Sequence, residues 1–365
     1  MASTTTAAPR APGSDRLRQL SLTQRVLARP AAGALIIVVF VWLVFAAISI
    51  AARGLSSGLP PFLSLAGVLN YLDVAAQVGI LATAVALLMI AGEFDLSIGS
   101  MVGFAGIIIG IAVTIWGLPM WVAILLSMAL ATLLGAINGF IVVRTGLPSF
   151  IVTLATLFII RGASAVLTST VTNITYIPID PSKVQSDPLA AIFGWNMPIQ
   201  FGDGSTSFVQ VSIIWWIVIA IVGIYVLGRT RFGNWIAGVG GSSGAARNLG
   251  VPVARVKITL FAMTALSAAV LAAIQSTRFV SADILRGTGA ELDAITTAVI
   301  GGSLLTGGYG SVAGTALGAL ALGMARQGIV FADINADWYK IAIGTLLLVA
   351  VVLNNWIRRR FAGLA

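Results

Sequence analysis

The sequence predicts an all-α integral membrane protein of about ten transmembrane helices at roughly 20 residues each, some of them broken or re-entrant. Three observations carry that expectation. Hydrophobic residues make up 58% of the 365 and charged residues only 9%, against about 25% charged in an ordinary globular domain. The mean hydropathy is +1.02. The apolar residues also gather in runs long enough to span, separated by short stretches that hold most of the charge.

The first 29 residues, rich in Ala, Thr, Ser and Arg, lack periodicity and read as a disordered cytoplasmic tail, 1–29. Ala31 to Ala52 is long enough to cross, whereas the apolar core of a cleaved signal peptide is about 7–15 residues. Further crossings fall near 72–91, 97–116, 120–143, 148–168, 211–228, 258–277, 293–306, 312–331 and 340–357. Residues 30–357 therefore form one transmembrane domain, and 358–365 a basic cytoplasmic tail. Leu96 to Val143 carries no charge and is divided at Trp116-Gly117-Leu118-Pro119-Met120-Trp121, where Gly and Pro turn the chain and two Trp suit the interface. The 293–306 stretch is short for a span, and Gly301, Gly302, Gly307 and Gly308 mark it as a candidate broken or re-entrant helix.

The net charge of +9 is spread through loops rather than gathered on one soluble face, so it argues for membrane orientation and against nucleic acid. Most of the 21 basic residues fall on the side of the N-terminal tail, which puts both termini in the cytoplasm. The 169–210 loop lies opposite, with turn chemistry at Tyr176-Ile177-Pro178 and Gly202-Asp203-Gly204. With no cysteine and no histidine, thiolate and imidazole metal sites, disulfides and Ser-His or Cys-His pairs are excluded. No catalytic or metal-ligating set is expected.

The long basic interruption at 228–257 reads as a docking surface for a soluble partner. Ser242-Ser243 can cap a short helix over Gly244-Ala245-Ala246-Arg247-Asn248-Leu249, Gly250 can end it, and Pro252 bars its resumption. Small side chains there let another surface approach closely, so Ala246→Glu is expected to uncouple that contact. Gly240 and Gly241 precede the cap in a glycine-rich loop that superficially suggests a phosphate cradle. None of Lys183, Lys257 or Lys340 follows a glycine, so no Gly-Lys-Ser/Thr exists and this chain is not expected to hydrolyse nucleotide.

Gly92-Glu93-Phe94-Asp95-Leu96-Ser97-Ile98-Gly99-Ser100 joins two crossings, and carboxylates beside apolar spans are costly enough to suggest function. The simpler reading is that Asp95 caps a helix starting at Leu96; no cap needs Glu93. Asn138 is a polar amide in hydrocarbon and acts as interhelical glue or as a solute contact. Arg161 either snorkels to the interface or faces a water-filled path, and Arg326 poses the same question.

Taken together these stretches resemble the permease subunits of bacterial ABC importers of the ribose/xylose type, in the group that also holds branched-chain amino acid permeases. The family's Gly-Gly-Ile-Asp-Leu-Ser-Val-Gly-Ser appears as Gly92 to Ser100, its Asn-Gly as Asn138-Gly139, its Pro-x-Phe-Ile-x-Thr-Leu as Pro148 to Leu154, and then Arg161-Gly162 follows. Its Gly-Gly-Asn-x-x-Ala-Ala-Arg-x-x-Gly-Ile appears as Gly240 to Val251. Its Glu-Leu-x-Ala-Ile appears as Glu291 to Ile295, followed by Gly301-Gly302 and Gly307 to Ser311. Glu93, Ser242, Leu304 and Tyr309 depart from the pattern.

The resemblance implies the ABC importer permease fold, with the 228–257 loop as the coupling element for a separate ATPase subunit that uses ATP and Mg. It further implies a periplasmic solute-binding protein, a second permease subunit in a homo- or heterodimer, surrounding lipid, and no cofactor bound by this chain. The expected cargo is a small carbohydrate. Nucleosides, branched-chain amino acids or a signalling furanone on the same fold are the alternatives. An ion-coupled secondary transporter, which needs ionisable residues at midplane, and a non-transporting scaffold stand behind them.

Overall fold

The computed structural model describes residues 30–53, 59–172, 175–200, 206–335 and 337–361; the 1–29 tail, the Gly202-Asp203-Gly204 turn and residues 362–365 lie outside them. Helices α1 (Pro30–Arg53), α2 (Leu65–Ile90), α3 (Ile98–Thr114), α4 (Met120–Thr145) and α5 (Ser149–Thr172) come first. The loop after α5 holds strand β1 (Tyr176–Pro178), two short helices, α6 (Pro181–Gln185) and α7 (Ala191–Gly194), and a hairpin of β2 (Asn196–Gln200) and β3 (Thr206–Gln210). The chain continues as α8 (Val211–Arg229), α9 (Arg231–Gly241), α10 (Ser243–Asn248), α11 (Val253–Phe279), β4 (Ser281–Asp283), α12 (Ala290–Ile300), α13 (Val312–Phe331) and α14 (Trp338–Phe361). Of these, α1, α2, α4, α5, α8, α11 and α13 are long and apolar enough to cross a membrane, and α3 and α14 contribute shorter apolar stretches.

Helix α2 is the axis of the bundle. Its most apolar window is 89% buried inside the chain, against 28% for α1 and α5, whose apolar faces the chain leaves largely uncovered. Small side chains permit this: Ala75, Ala76, Ala82 and Ala86 of α2 share one core cluster with Ala265, Ala268, Ala269 and Ala272 of α11. Backbones that approach this closely gain van der Waals contact where no hydrophobic drive separates helix from lipid. Helix α13 packs along α2, and α4 along α11.

The span expected over 293–306 is corrected by the structure. Helix α12 has 11 residues, about 16 Å of rise, or roughly half of a hydrocarbon core. The remaining depth is covered by the non-helical chain from Ser281 to Gly289, which runs antiparallel along a glycine face of α3. A Cβ on Gly110 would lie 2.9 Å from the Cβ of Ala282, one on Gly103 would lie 2.8 Å from the Ile284 carbonyl oxygen, and one on Gly99 would run into the Glu291 side chain. Glycine at these positions gives the irregular backbone a seat inside protein, the condition for such backbone at membrane depth.

Tyr176-Ile177-Pro178, expected as a turn, is instead strand β1 paired antiparallel with β4, Tyr176 opposite Asp283 and Pro178 opposite Ser281. Other described parts of the 169–210 loop are tied over the helix ends. Asp187 accepts from the Trp121 N–H at 2.9 Å, Trp215 Nε1 donates to the Ile192 carbonyl at 2.9 Å, and the Phe193 and Trp215 rings stack with centroids 5.1 Å apart. Asp180 caps α6 by accepting from the Ser182 N–H at 2.9 Å, and that bond holds its carboxyl below the usual carboxylate range.

Candidate functional site

At the opposite end of the bundle three interruptions in the helices meet backbone to backbone. Helix α2 stops at Ile90 and turns through Gly92, at φ 84°. The Gly308 N–H, in the turn between α12 and α13, donates to the freed Ile90 carbonyl at 2.8 Å. A Cβ on Gly307 would lie 2.7 Å from the Gly92 Cα and 3.1 Å from the Gly240 carbonyl oxygen. A Cβ on Gly240, at the end of α9, would collide with the Ile90 carbonyl and lie 2.6 Å from the Gly308 nitrogen, and one on Gly308 would lie 3.1 Å from the Gly241 Cα. Gly301 and Gly302 close α12 beside the first turn of α13, where a Cβ on Gly301 would strike the Thr315 backbone. The structure thus brings Gly92, Gly240, Gly241, Gly307 and Gly308 into one junction.

Helix α10 follows directly on the end of α9 that sits in this junction, and packs against α9 and the start of α11. Ser242 caps it, accepting from the Ala245 N–H at 3.3 Å; Gly250, at φ 82°, ends it, and its N–H donates to the Arg247 carbonyl. Ala246 is turned inward, 4% exposed among Ile236, Val239 and Val253. The expectation that Ala246→Glu would act on a partner contact is therefore corrected, because that carboxylate would first disrupt the chain's own packing. Ala245, Arg247 and Asn248 face outward, and Leu249 is 85% exposed.

A buried polar network spreads from the Gly92 turn. Glu93, without a role in the sequence, is ion-paired to Lys257 of α11, four residues into that helix. Asp95 is 1% exposed. It accepts from the Ser97 N–H at 2.9 Å, the Ser97 hydroxyl at 2.6 Å and the Thr264 hydroxyl at 2.6 Å. Helix α3 begins at Ile98 rather than Leu96, with Ser97 at its cap position, so Asp95 both orders the start of α3 and ties it to α11. Asn138 donates to the Ser97 Oγ at 3.0 Å and accepts from the Thr156 hydroxyl at 2.9 Å, joining α4, α5 and the start of α3. Ser149 and Thr153 of α5 accept from the Phe94 and Leu96 N–H groups.

Two expected residues stand apart from this network. The Glu291 Oε2 is buried without a hydrogen-bond partner, next to Gly99. Arg161, partly buried on α5, has its Nε and Nη2 buried and likewise unpartnered.

A second polar cluster lies deeper, among residues sequence reasoning passed over except for Arg326. Asp73 of α2 accepts from the Ser212 hydroxyl at 2.5 Å and from Arg278 Nη1 at 2.6 Å. Gln275 Nε2 donates to the Gln77 Oε1 at 2.9 Å. Arg326 of α13 lies 4.0 Å from the Asp293 carboxylate and 5.0 Å from the centre of the Tyr339 ring. Gln77, Gln275, Thr288, Asp293 and Arg326 line a cavity of about 200 Å³ whose apolar side includes Leu81 and Leu271. A signal for it existed: Asp73 and Gln77 are four apart on α2, Gln275 and Arg278 three apart on α11, spacings that share a helix face. A second cavity, of about 320 Å³, has an almost wholly apolar wall along α2, α8 and α11. Among the described residues no group of three acidic side chains is placed to hold a metal ion.

Comparison with known proteins adds an independent line. Residues 67–351 match the family described as branched-chain amino acid transport system / permease component. The chain is 33% identical over 303 residues to the inner membrane ABC transporter permease protein YjfF of Escherichia coli (strain K12), covering 81% of this chain and 86% of that one. It is 31% identical over 342 residues to the xylose transport system permease protein XylH of the same organism (82% and 87% covered), and 31% over 300 residues to its ribose import permease protein RbsC (81% and 88%). No solved structure matches the chain.

Proposed function

Because the chain belongs to the branched-chain amino acid transport system / permease component family, we propose that this multi-pass membrane permease is the spanning subunit of an ATP-driven monosaccharide importer. ATP and Mg are used by a separate cytoplasmic ATPase subunit, a periplasmic solute-binding protein delivers cargo, and a second permease subunit completes the pathway. Both termini and α10 lie in the cytoplasm, and the 169–210 loop lies on the periplasmic side. The relatives named for xylose and ribose support the sugar class.

The observation that carries the coupling role is the placing of the end of α9, which leads through Ser242 straight into α10, in the glycine junction. The outward face of α10 offers Leu249 and Arg247 to a partner, while Gly240 and Gly241, at the end of α9 that leads into it, touch the α2–α3 break and the α12–α13 turn through backbone atoms. Close backbone contact has little slack, so a push on α10 displaces both interruptions together. Closure of the ATPase pair then biases an inward-open and an outward-open arrangement through the same element.

The test is uptake of labelled pentoses, hexoses, nucleosides and branched-chain amino acids by cells lacking the gene, complemented with wild type or Leu249→Glu. Leu249 projects into solvent, so the variant is expected to reach the membrane at normal level. Wild type should restore one sugar, and Leu249→Glu should restore none of it. Equal restoration by both would remove the coupling role from α10. Uptake that a protonophore abolishes while ATP is maintained would instead favour the secondary-transporter reading.

A further inference from the structure

The polar cavity between α2, α11, α12 and α13 has hydrogen-bonding capacity that the chain itself leaves unused. Gln275 spends its amide N–H on Gln77, but its Oε1 is buried without a partner. The Thr288 hydroxyl donates to the Leu285 carbonyl at 2.6 Å, which leaves its oxygen free to accept. Asp293 and Arg326 stand 4.0 Å apart, beyond a normal hydrogen bond, with the Tyr339 hydroxyl beside both, so the carboxylate keeps a further oxygen and the guanidinium further N–H donors open. The cavity also sits where the non-helical stretch gives way to α12, with Gly287 and Gly289 both at positive φ. Interrupted helices of this kind border solute sites in other membrane carriers.

We propose that this cavity holds one neutral monosaccharide in transit, a reading that rests on the sugar-importer assignment above. Ring hydroxyls would donate to the Gln275 Oε1 and the Asp293 carboxylate and accept from Arg326, while a C–H face of the sugar lies on Leu81 and Leu271. The dimensions select the solute class. At about 200 Å³ the cavity is smaller than the ~300–1,000 Å³ of sites for drug-sized ligands, which suits one ring and not a nucleoside's two units. Its lining includes no aromatic ring on which a base could stack. An amino acid zwitterion needs full-charge partners for its ammonium and carboxylate, and the two charged groups in this lining, Asp293 and Arg326, already offset each other, whereas sugar hydroxyls need hydrogen-bond partners alone.

The absence of cysteine from the chain makes a direct test available. Thr288→Cys and Ala290→Cys each place a single thiol in the cavity wall of the full-length permease, and its alkylation by N-ethylmaleimide is timed in membrane vesicles. D-Ribose, D-xylose, D-glucose and L-leucine are the probes. One of the sugars is expected to slow labelling at both positions, and leucine at neither. Adding Gln275→Leu should raise the sugar concentration needed for protection by on the order of tenfold, the consequence of one lost hydrogen bond at a buried polar site. If wild-type cells import a sugar that protects neither thiol, the cavity assignment fails and the importer reading stands. Protection by leucine in place of sugar also overturns it. If wild type restores uptake of no sugar, the importer reading falls and this assignment with it.

Discussion

Asp95 holds a carboxylate at 1% exposure, where an unpaired charge would be prohibitive. Its three donors explain why it is tolerated: the Ser97 N–H, the Ser97 hydroxyl and the Thr264 hydroxyl all point at it. An asparagine keeps one oxygen for the Ser97 donors. Its amide would then face Thr264, whose hydroxyl is also within 2.8 Å of the Phe261 carbonyl and can donate there while accepting from the amide. Asp95→Asn is therefore expected to cost about 1–2 kcal/mol, the difference between charge-assisted and neutral hydrogen bonds, and to leave uptake largely intact. Asp95→Leu strands all three donors and should abolish accumulation in the membrane. Thermal unfolding of the purified variants measures the first effect; an Asn variant that is stable yet inactive would make Asp95 a pathway residue.

At the scale of elements, the glycines of α3 decide where the non-helical 281–289 chain can lie. A Cβ at Gly103 would press to 2.8 Å on the Ile284 carbonyl, whereas one at Gly106 would meet only the Ser276 hydroxyl oxygen, at an ordinary 3.6 Å. Gly103→Ala should therefore destabilise by about 1–3 kcal/mol, as overpacking does, and Gly106→Ala should be neutral or slightly stabilising through its better helix propensity. Equal melting temperatures for the two variants would contradict the proposed seat. The same element marks how far the sequence could be read. Crossings such as 312–331 are legible because apolar length and a flanking Ser311 cap are local signals, and the capped α10 is legible for the same reason. The partner of Glu93 is not, because Lys257 lies 164 positions away and only tertiary packing brings it near. The cavity hid because Gln77 and Gln275 carry no charge to disturb a hydropathy profile. Gly307 and Gly308 marked a break, but nothing local in the sequence says that this break rests on Gly92 and Gly240.

For the whole molecule, the odd status of α12 fixes at which end of the bundle α14 finishes. Helices α1 to α5 carry the chain to the end that holds the β2–β3 hairpin, α8 returns it to the glycine junction, and α11 takes it back to the hairpin end. There β4 pairs with β1, and after α12 the chain is at the junction again, with Gly307 against Gly92 and Gly240. The 281–300 stretch is thus a full crossing although only 11 of its residues are helical in α12. Helices α13 and α14 then complete an even number of traversals among the described residues, which brings the end of α14 back to the end of the bundle where α1 begins. Had the stretch dipped in and returned, the parity would be odd. A fluorescent protein fused after Ala365 should fluoresce in the cytoplasm, and a disulfide-requiring phosphatase, active only on the oxidising side, should work when inserted at Asp203 and fail at the C-terminus. A phosphatase active at the C-terminus would mean that 281–300 does not cross. It would also remove one of the three pieces of chain, with α2 and α13, that run from the glycine junction to the polar cavity.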